Sequence, residues 1–553
     1  MKSIVNLLII LFSVSNLSAQ EIKGSGDIKE LKCSVLTGEV FKSWGSMTGN
    51  LHKNGDSYWS ISRVPKSKVN VVPKDNPEYV LQADFFIKTF NSDLVETSMK
   101  KLVVKDYGDN TYLWKFVQVK DKFFAIFLEK NSEENKKVIS ASELNIENFQ
   151  LEDELIEIIQ VDWDVSDTKY VTTVYLDNSL TKSNDFLVLT SVNRNKKYVN
   201  PLREKGRPVS NDLSMWVFDE NLKLVNSLDE KTNDFNKSKG YFKMWNEVGP
   251  TGDIFSYYYT ATVTEESPGP FIHRQNMDYN SFVVTRTQKN GKTDVLRPKE
   301  DKPIFDCRVL KRPDGSLVFV GLNAEKIGEK YHTTGLCTAE INEESFSLEG
   351  ISNHPFDEEL LNNVNNLRDP LNSQAKQKSK SKDDEILNKE KNVLSNVKRF
   401  MSVEMSNNGS IMILFEEFHI KQKSYTDANG RTKFETLRKY DDIIFCTISK
   451  NIAKFDYIKK SEVFTNKNRT FSLSPQISSN GDFQLQTLES FIRISKDGKS
   501  FKTASNPDIL EIAVGKKKKN FVKADIMYLD DDEVMTLYRK FMKLVWVRTR
   551  IED

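Results

Sequence analysis

Asp162 and Asp164, in Val-Asp-Trp-Asp-Val, are the residues whose type and spacing come closest to chemistry in this sequence. On a strand, residues two apart share a face. On the innermost strand of a sheet in a ring, both carboxylates would face the central channel. There they could bind a cation or flank a glycosidic bond as an acid and base pair. Two carboxylates on one strand make a poor glycosidase pair by themselves, because acid and base must face each other across the bond. The plainer reading is a solvated channel wall with Trp163 packed between sheets.

The remaining reactive residue types do not form constellations. Five histidines, His52, His273, His332, His354 and His419, are scattered singly, and the four cysteines contain no close pair. Neither set has the spacing of a zinc site, so no metal ligand is expected. No glycine-rich phosphate loop is present, and no cofactor is expected. Gly45-Ser-Met-Thr-Gly49 resembles a nucleophile elbow in outline, but its serine is displaced by one position and no strand-to-helix context surrounds it. Asp530-Asp-Asp-Glu533 lacks the glycine and spaced oxygens of a calcium loop and reads as an acidic hairpin turn. Lys516 to Lys519 reads as a solvated loop that could touch an anionic polymer. Tyr257-Tyr-Tyr259 with Phe255 alternates across a strand, so at least one face belongs to the core; the other could be a stacking platform for glycan.

The elements that carry these residues are strands. One hairpin pattern recurs in a single gapless register at Asp84–Thr97, Asp212–Val225 and Asp442–Phe455, with Phe90, Phe218 and Ile448 closing the first strand and Leu94, Leu222 and Ile452 opening the second. Asn290-Gly291, Asp314-Gly315, Asn408-Gly409 and Asn480-Gly481 punctuate further pairs of apolar runs, a strong hairpin signal because both turn positions tolerate positive φ. Such units return roughly every 50 to 70 residues, the pitch of four-stranded propeller blades with generous loops. The expected fold is all-β, a β-propeller of about seven four-stranded blades, with six to eight as the range. One interval is lengthened by a charged, partly helical insertion, bounded at 353–397, whose stretch Asp357–Val397 is rich in Lys, Asn, Ser and acids, with its helix expected at Glu385–Leu394.

Residues 1–19 have the three parts of a signal peptide: Lys2, an apolar run from Ile4 to Val14, and small residues before a cut after Ala19. A flexible lead, 20–30, would follow, and 31–553 would form one propeller domain in which the strand-like run after Leu31 completes the last blade. No later stretch is long and apolar enough for a transmembrane segment, so the exported chain is expected in the periplasm, at the outer-membrane surface or outside the cell. A formal net charge of +1 lacks the basic excess of a nucleic-acid binder. Four cysteines in a chain of this size are not a disulfide framework; Cys307 and Cys337 are expected on strands separated by a third, too far apart to bridge.

The signal ending Leu17-Ser-Ala-Gln, the strand Met215-Trp-Val-Phe-Asp-Glu-Asn-Leu-Lys-Leu and the run Gly409–Phe418 with Glu416-Glu417 carry a resemblance, together with the Lys-rich insertion before that run and the long hairpin leading into Asp441-Asp-Ile-Ile. In these the chain resembles a family of exported, signal-peptide-bearing β-propeller-like proteins of the Bacteroidota. The resemblance implies a fold and an envelope location, and it carries over no catalytic residue. The expectation is a non-catalytic exported propeller that binds a protein or glycan partner at the cell envelope; the alternative is a carbohydrate-active hydrolase or lyase using channel carboxylates. The long loop Lys421–Tyr440 and the insertion are the expected recognition elements.

Overall fold

The computed structural model describes residues 27–42 in part, 52–65, 83–162, 170–176, 185–195, 211–230, 241–269, 272–297, 303–365, 394, 400–426, 432–458, 462–465, 476–505 in part and 522–552, apart from a few positions within these stretches. The signal peptide, most of the lead, Gly45–Gly49, Asp164, the insertion's central part and Lys516–Lys519 lie outside the described residues.

The fold is an all-β propeller. Its described strands form eight sheets, the upper end of the expected range, and in chain order each is an antiparallel meander of four main strands. The chain divides into two compact units. One contains the first four sheets, within 52–296; the other contains most of the fifth and the sixth to eighth, within 305–552 together with the described residues 27–41.

Both faces of these sheets are buried, which is why the strands read as unbroken apolar runs rather than as alternating ones. In the second sheet, Lys122–Asn131 carries Phe-Phe-Ala-Ile-Phe-Leu. Phe123, Ala125 and Phe127 pack with Trp59, Ile61 and Ile87 of the first sheet, while Phe124, Ile126 and Leu128 pack with Val174, Leu187 and Leu189 of the third. The next strand boundary repeats the device: Val188 faces Met215, Val248 and Ile254. In the other unit, Ile411, Ile413 and Phe415 of the sixth sheet meet Val318 and Val320 of the fifth, while Met412 and Leu414 meet Phe483, Leu485 and Ile492 of the seventh. Truncating one such buried phenylalanine to alanine costs about 3–5 kcal/mol, so within each unit these sheets are held by their neighbours.

The N-terminal strand Lys32–Thr37 pairs antiparallel with the last strand, Lys543–Glu552, and supplies the outer strand of the eighth sheet, as its strand-like sequence implies. This covers an edge that would otherwise expose unpaired backbone groups. Asp27–Glu30 adds in parallel to Ser500–Ser505 of the seventh sheet.

The three copies of the repeated hairpin fall at the same place, the third and fourth strands of sheets one, three and six. Their turns differ. In the first two copies, Asn91 and Asp219 each accept two backbone N–H groups on the side chain, and Leu94 and Leu222 take left-handed backbone (φ 59° and 60°) inside the turn. In the third, Ser449 pairs directly with Ile452 across Lys450 and Asn451, both at positive φ. Leu94 and Leu222 are therefore 2% and 7% exposed, whereas Ile452 at the aligned position is 66% exposed. The gapless alignment holds in sequence but not in turn geometry. The Asn-Gly and Asp-Gly turns also differ from the two-residue form expected: only the glycine, such as Gly291 or Gly315, has positive φ, and the Gly315 N–H bonds back to the Arg312 carbonyl at 2.9 Å.

A second repeat has no counterpart among the expectations. Glu143-Leu-Asn-Ile-Glu-Asn-Phe-Gln-Leu-Glu152 and Glu340-Ile-Asn-Glu-Glu-Ser-Phe-Ser-Leu-Glu349 both link the third strand to the fourth, in sheets two and five. In each, the asparagine Oδ1 caps two N–H groups ahead of it, and the phenylalanine, at φ 56° or 46°, turns its ring inward.

The insertion's ends are not the exposed chain its composition suggests. The described helix is Glu358–Asn365, the helix expected at Glu385–Leu394 lies outside the described residues except for Leu394, and residues 353–355 still belong to the strand Ser347–Pro355. Asp357 Oδ1 accepts the Leu360 N–H at 2.7 Å as an N-cap. Leu360, Leu361 and Val364 enter the core of the second unit. Leu394 is fully buried and exchanges two backbone hydrogen bonds with Thr333.

A candidate recognition arm on the sixth sheet

The stretch expected as a long loop, Lys421–Tyr440, is instead the continuation of a hairpin. The second strand, Ile411–Thr426, and the third, Thr432–Ser449, stay paired from Ile411↔Ile448 out to Thr426↔Thr432, with one bulge between Glu416 and Phe418. Glu462–Thr465 then pairs with Leu437–Tyr440 and gives the arm a third strand near its base. Alternating β-branched, aromatic and polar residues over this length favour extended pairing and leave no turn signal until Asn429-Gly430. The fourth sheet extends its second and third strands likewise, Ile254–Gly269 against Ile272–Thr287.

The arm springs from an acidic root. Glu416 and Asp442, in the rows where body gives way to arm, are buried, as is Asp456 on the neighbouring strand. Tyr457 lies among them. Its phenol pKa is raised, first by burial and then by the negative charges of Asp456, Glu359 and Asp442. Loss of the tyrosine proton is therefore disfavoured.

Elsewhere the described groups are structural. Asp162 ends a strand, Ile156–Asp162, that pairs with the third strand of the second sheet, opposite Lys136. Thr111–Val119 lies at the other end of that sheet's strand order, and Asp162 is exposed. Tyr257 and Tyr258 are buried, not a platform: Tyr257 stacks on Trp245 at 4.8 Å, and Tyr258 donates its hydroxyl hydrogen bond to Glu230. Asp530 and Glu533 pair across a hairpin turn, with Glu533 ion-paired to Arg548 at 3.2 Å. Cys307 and Cys337 lie on the first and third strands of the fifth sheet, separated by the second, and both are free. Among the described residues no group of three His, Cys, Asp or Glu is placed to hold a metal ion.

No family model matches this sequence, and no curated protein matches it. Solved structures similar to it include an acylaminoacyl peptidase from Pyrococcus horikoshii, at 8% identity over 83% of this chain, with a TM-score of 0.26. The chain spans 64% of that peptidase's length. The β-propeller domain of the Trilobed protease from Pyrococcus furiosus is 9% identical over 77% of this chain and 94% of its own, with a TM-score of 0.26. An α-L-arabinofuranosidase from Fusarium graminearum is 11% identical over 74% and 97%, with a TM-score of 0.25.

Proposed function

We propose that this protein is a non-catalytic, exported propeller that binds a protein or glycan partner at the cell envelope, and that the arm of the sixth sheet is its recognition element. The observation that carries the reading is the arm itself. A hairpin whose ladder runs far past the rows that the first and fourth strands of its sheet pair with is an addition to that sheet, and an element added to a scaffold is suited to recognition. Export and envelope location rest on the signal-like residues 1–19 and on the family resemblance. The hydrolase or lyase reading needs facing carboxylates about 5–10 Å apart across a cleft, and Asp162 is an exposed residue opposite Lys136.

The test uses the mature chain and a variant in which residues 419–439 are replaced by a two-residue Asn-Gly turn. The variant should keep the parent's melting temperature within a few degrees and lose co-sedimentation with a cell-envelope fraction. Unchanged co-sedimentation would remove the arm from the function. Turnover of polysaccharides, peptides or esters at rates abolished by Asp162→Asn would overturn the non-catalytic reading.

A further inference from the structure

The pairing register of the arm sorts its charges. Cross-strand partners share a face, and faces alternate along the strand. His419↔Lys439, Lys421↔Leu437, Lys423↔Glu435 and Tyr425↔Lys433 therefore lie on one face, while Phe418, Ile420, Gln422 and Ser424 with their partners lie on the other. All four lysines of the paired arm fall on the first face, against one acid, Glu435; the second face has one basic position, Arg438. The extension of the fourth sheet has the same construction without this pattern: between Ala261 and Tyr279 it has no lysine, and it carries Glu265, Glu266 and Asp278.

We infer that the lysine face of the arm binds an acidic polysaccharide, a linear chain of carboxylated or sulfated sugars, lying along the hairpin. This rests on the recognition role proposed for the arm and names its ligand class. The lysine positions are strung along the ladder: Lys421 and Lys423 are about 7 Å apart, and the rows from Lys439 to Lys433 span about 20 Å. A line of cations matches a line of anions and gains by releasing the counterions condensed on them. A bilayer surface is less well matched, because the aliphatic positions on that face are Leu437 and, on the third strand, Val463, both near the arm's base, and insertion needs a longer apolar stripe. Nucleic acid is less well matched because the whole chain, at net charge +1, lacks the field that draws a duplex in.

The experiment measures retention of the mature chain in gels containing polygalacturonate, dextran sulfate or neutral dextran, with duplex DNA and phosphatidylserine vesicles as competitors. The expected result is retardation by the two acidic polymers and not by neutral dextran. It should weaken about tenfold or more between 50 and 300 mM salt. The combined substitutions Lys421→Gln, Lys423→Gln, Lys433→Gln and Lys439→Gln should reduce affinity at least tenfold, Arg438→Gln should leave it within twofold, and both variants should melt with the parent. Equal retention by neutral dextran, indifference to the four substitutions, or tighter binding of DNA or vesicles than of either acidic polymer would overturn the inference. If the arm-shortened chain loses the envelope fraction while the four-lysine variant keeps it, the arm recognises by other means and only this inference falls. If neither loses it, the recognition role falls too.

Discussion

Asp306, on the first strand of the fifth sheet, accepts the backbone N–H of Phe400 on Oδ2 at 2.9 Å, across 94 residues of chain. Its other oxygen takes the Cys307 N–H and the Arg308 guanidinium, which lies over the Phe400 ring at 5.5 Å. A buried carboxylate thus fastens the chain where it returns from the insertion to the sixth sheet.

Replacing Asp306 by alanine removes the side-chain acceptor of two buried N–H groups and one of the acceptors of Arg308, which keeps the Cys307 carbonyl, so destabilisation of about 2–4 kcal/mol is expected. Arg312→Ala breaks a more exposed pair with Glu340 and should cost under about 1 kcal/mol. Urea midpoints with unchanged slopes would check the difference; equal costs would remove Asp306 from this role.

Gly335 has φ +155°, and a Cβ there would lie 2.3 Å from the His354 carbonyl oxygen and 2.7 Å from Pro355 Cα. Neither backbone atom can swing aside. Gly335→Ala is expected to cost upwards of about 3 kcal/mol or to prevent recovery of folded protein. At Gly55 (φ +58°) a Cβ would meet nothing within 4 Å, and Gly55→Ala should cost only about 1 kcal/mol from its backbone conformation.

His52 sits against Trp59 and Phe123, with ring centroids at 4.5 and 4.6 Å, and burial lowers its pKa from 6.5 to about 4, opposed in part by a hydrogen bond with Gln118. The unfolded chain takes up this proton near pH 6.5 and the folded one only near pH 4. Protons therefore favour the unfolded state in that interval: the contribution is complete above the upper value and is lost as pH falls to the lower. Burial lowers the His354 pKa too, which adds to stability with the same sign. His52→Gln should flatten the drop in stability between pH 7 and 4.5 by about 2 kcal/mol, the ring's partial exposure reducing the full effect. An unchanged pH profile would show that His52 does not titrate with folding.

Cys307, Cys337 and Cys446 are buried and free, and burial raises the thiol pKa of Cys307 and Cys446 well above the ordinary range. None of these three should react with a thiol reagent in the folded protein at pH 8. In guanidinium without reductant, four thiols per chain are expected, Cys33 included; a count of two would reveal a disulfide.

The strand content, the blade pitch, the free cysteines and the use of the N-terminal strand in the last sheet were legible in the sequence, because each depends on local signals: short apolar runs, turn residues, cysteine spacing and a strand-like run near one end. Period-two alternation assigns Asp162 a face but not a position within the sheet. That position follows from which strand Lys136–Asn145 pairs with. The aligned Leu222 and Ile452 parted for a similar reason, since a turn is chosen by how the strands beside it pair and pack. Leu360, Leu361, Val364 and Leu394 sat unnoticed in a polar stretch, their burial being a matter of the core that meets them. The lysine face of the arm is the clearest case. The residues Lys421, Lys423, Lys433 and Lys439 are plain in the sequence, but placing them on one face required the pairing of Tyr425 with Lys433, and a one-residue change of register would have divided them between the two faces.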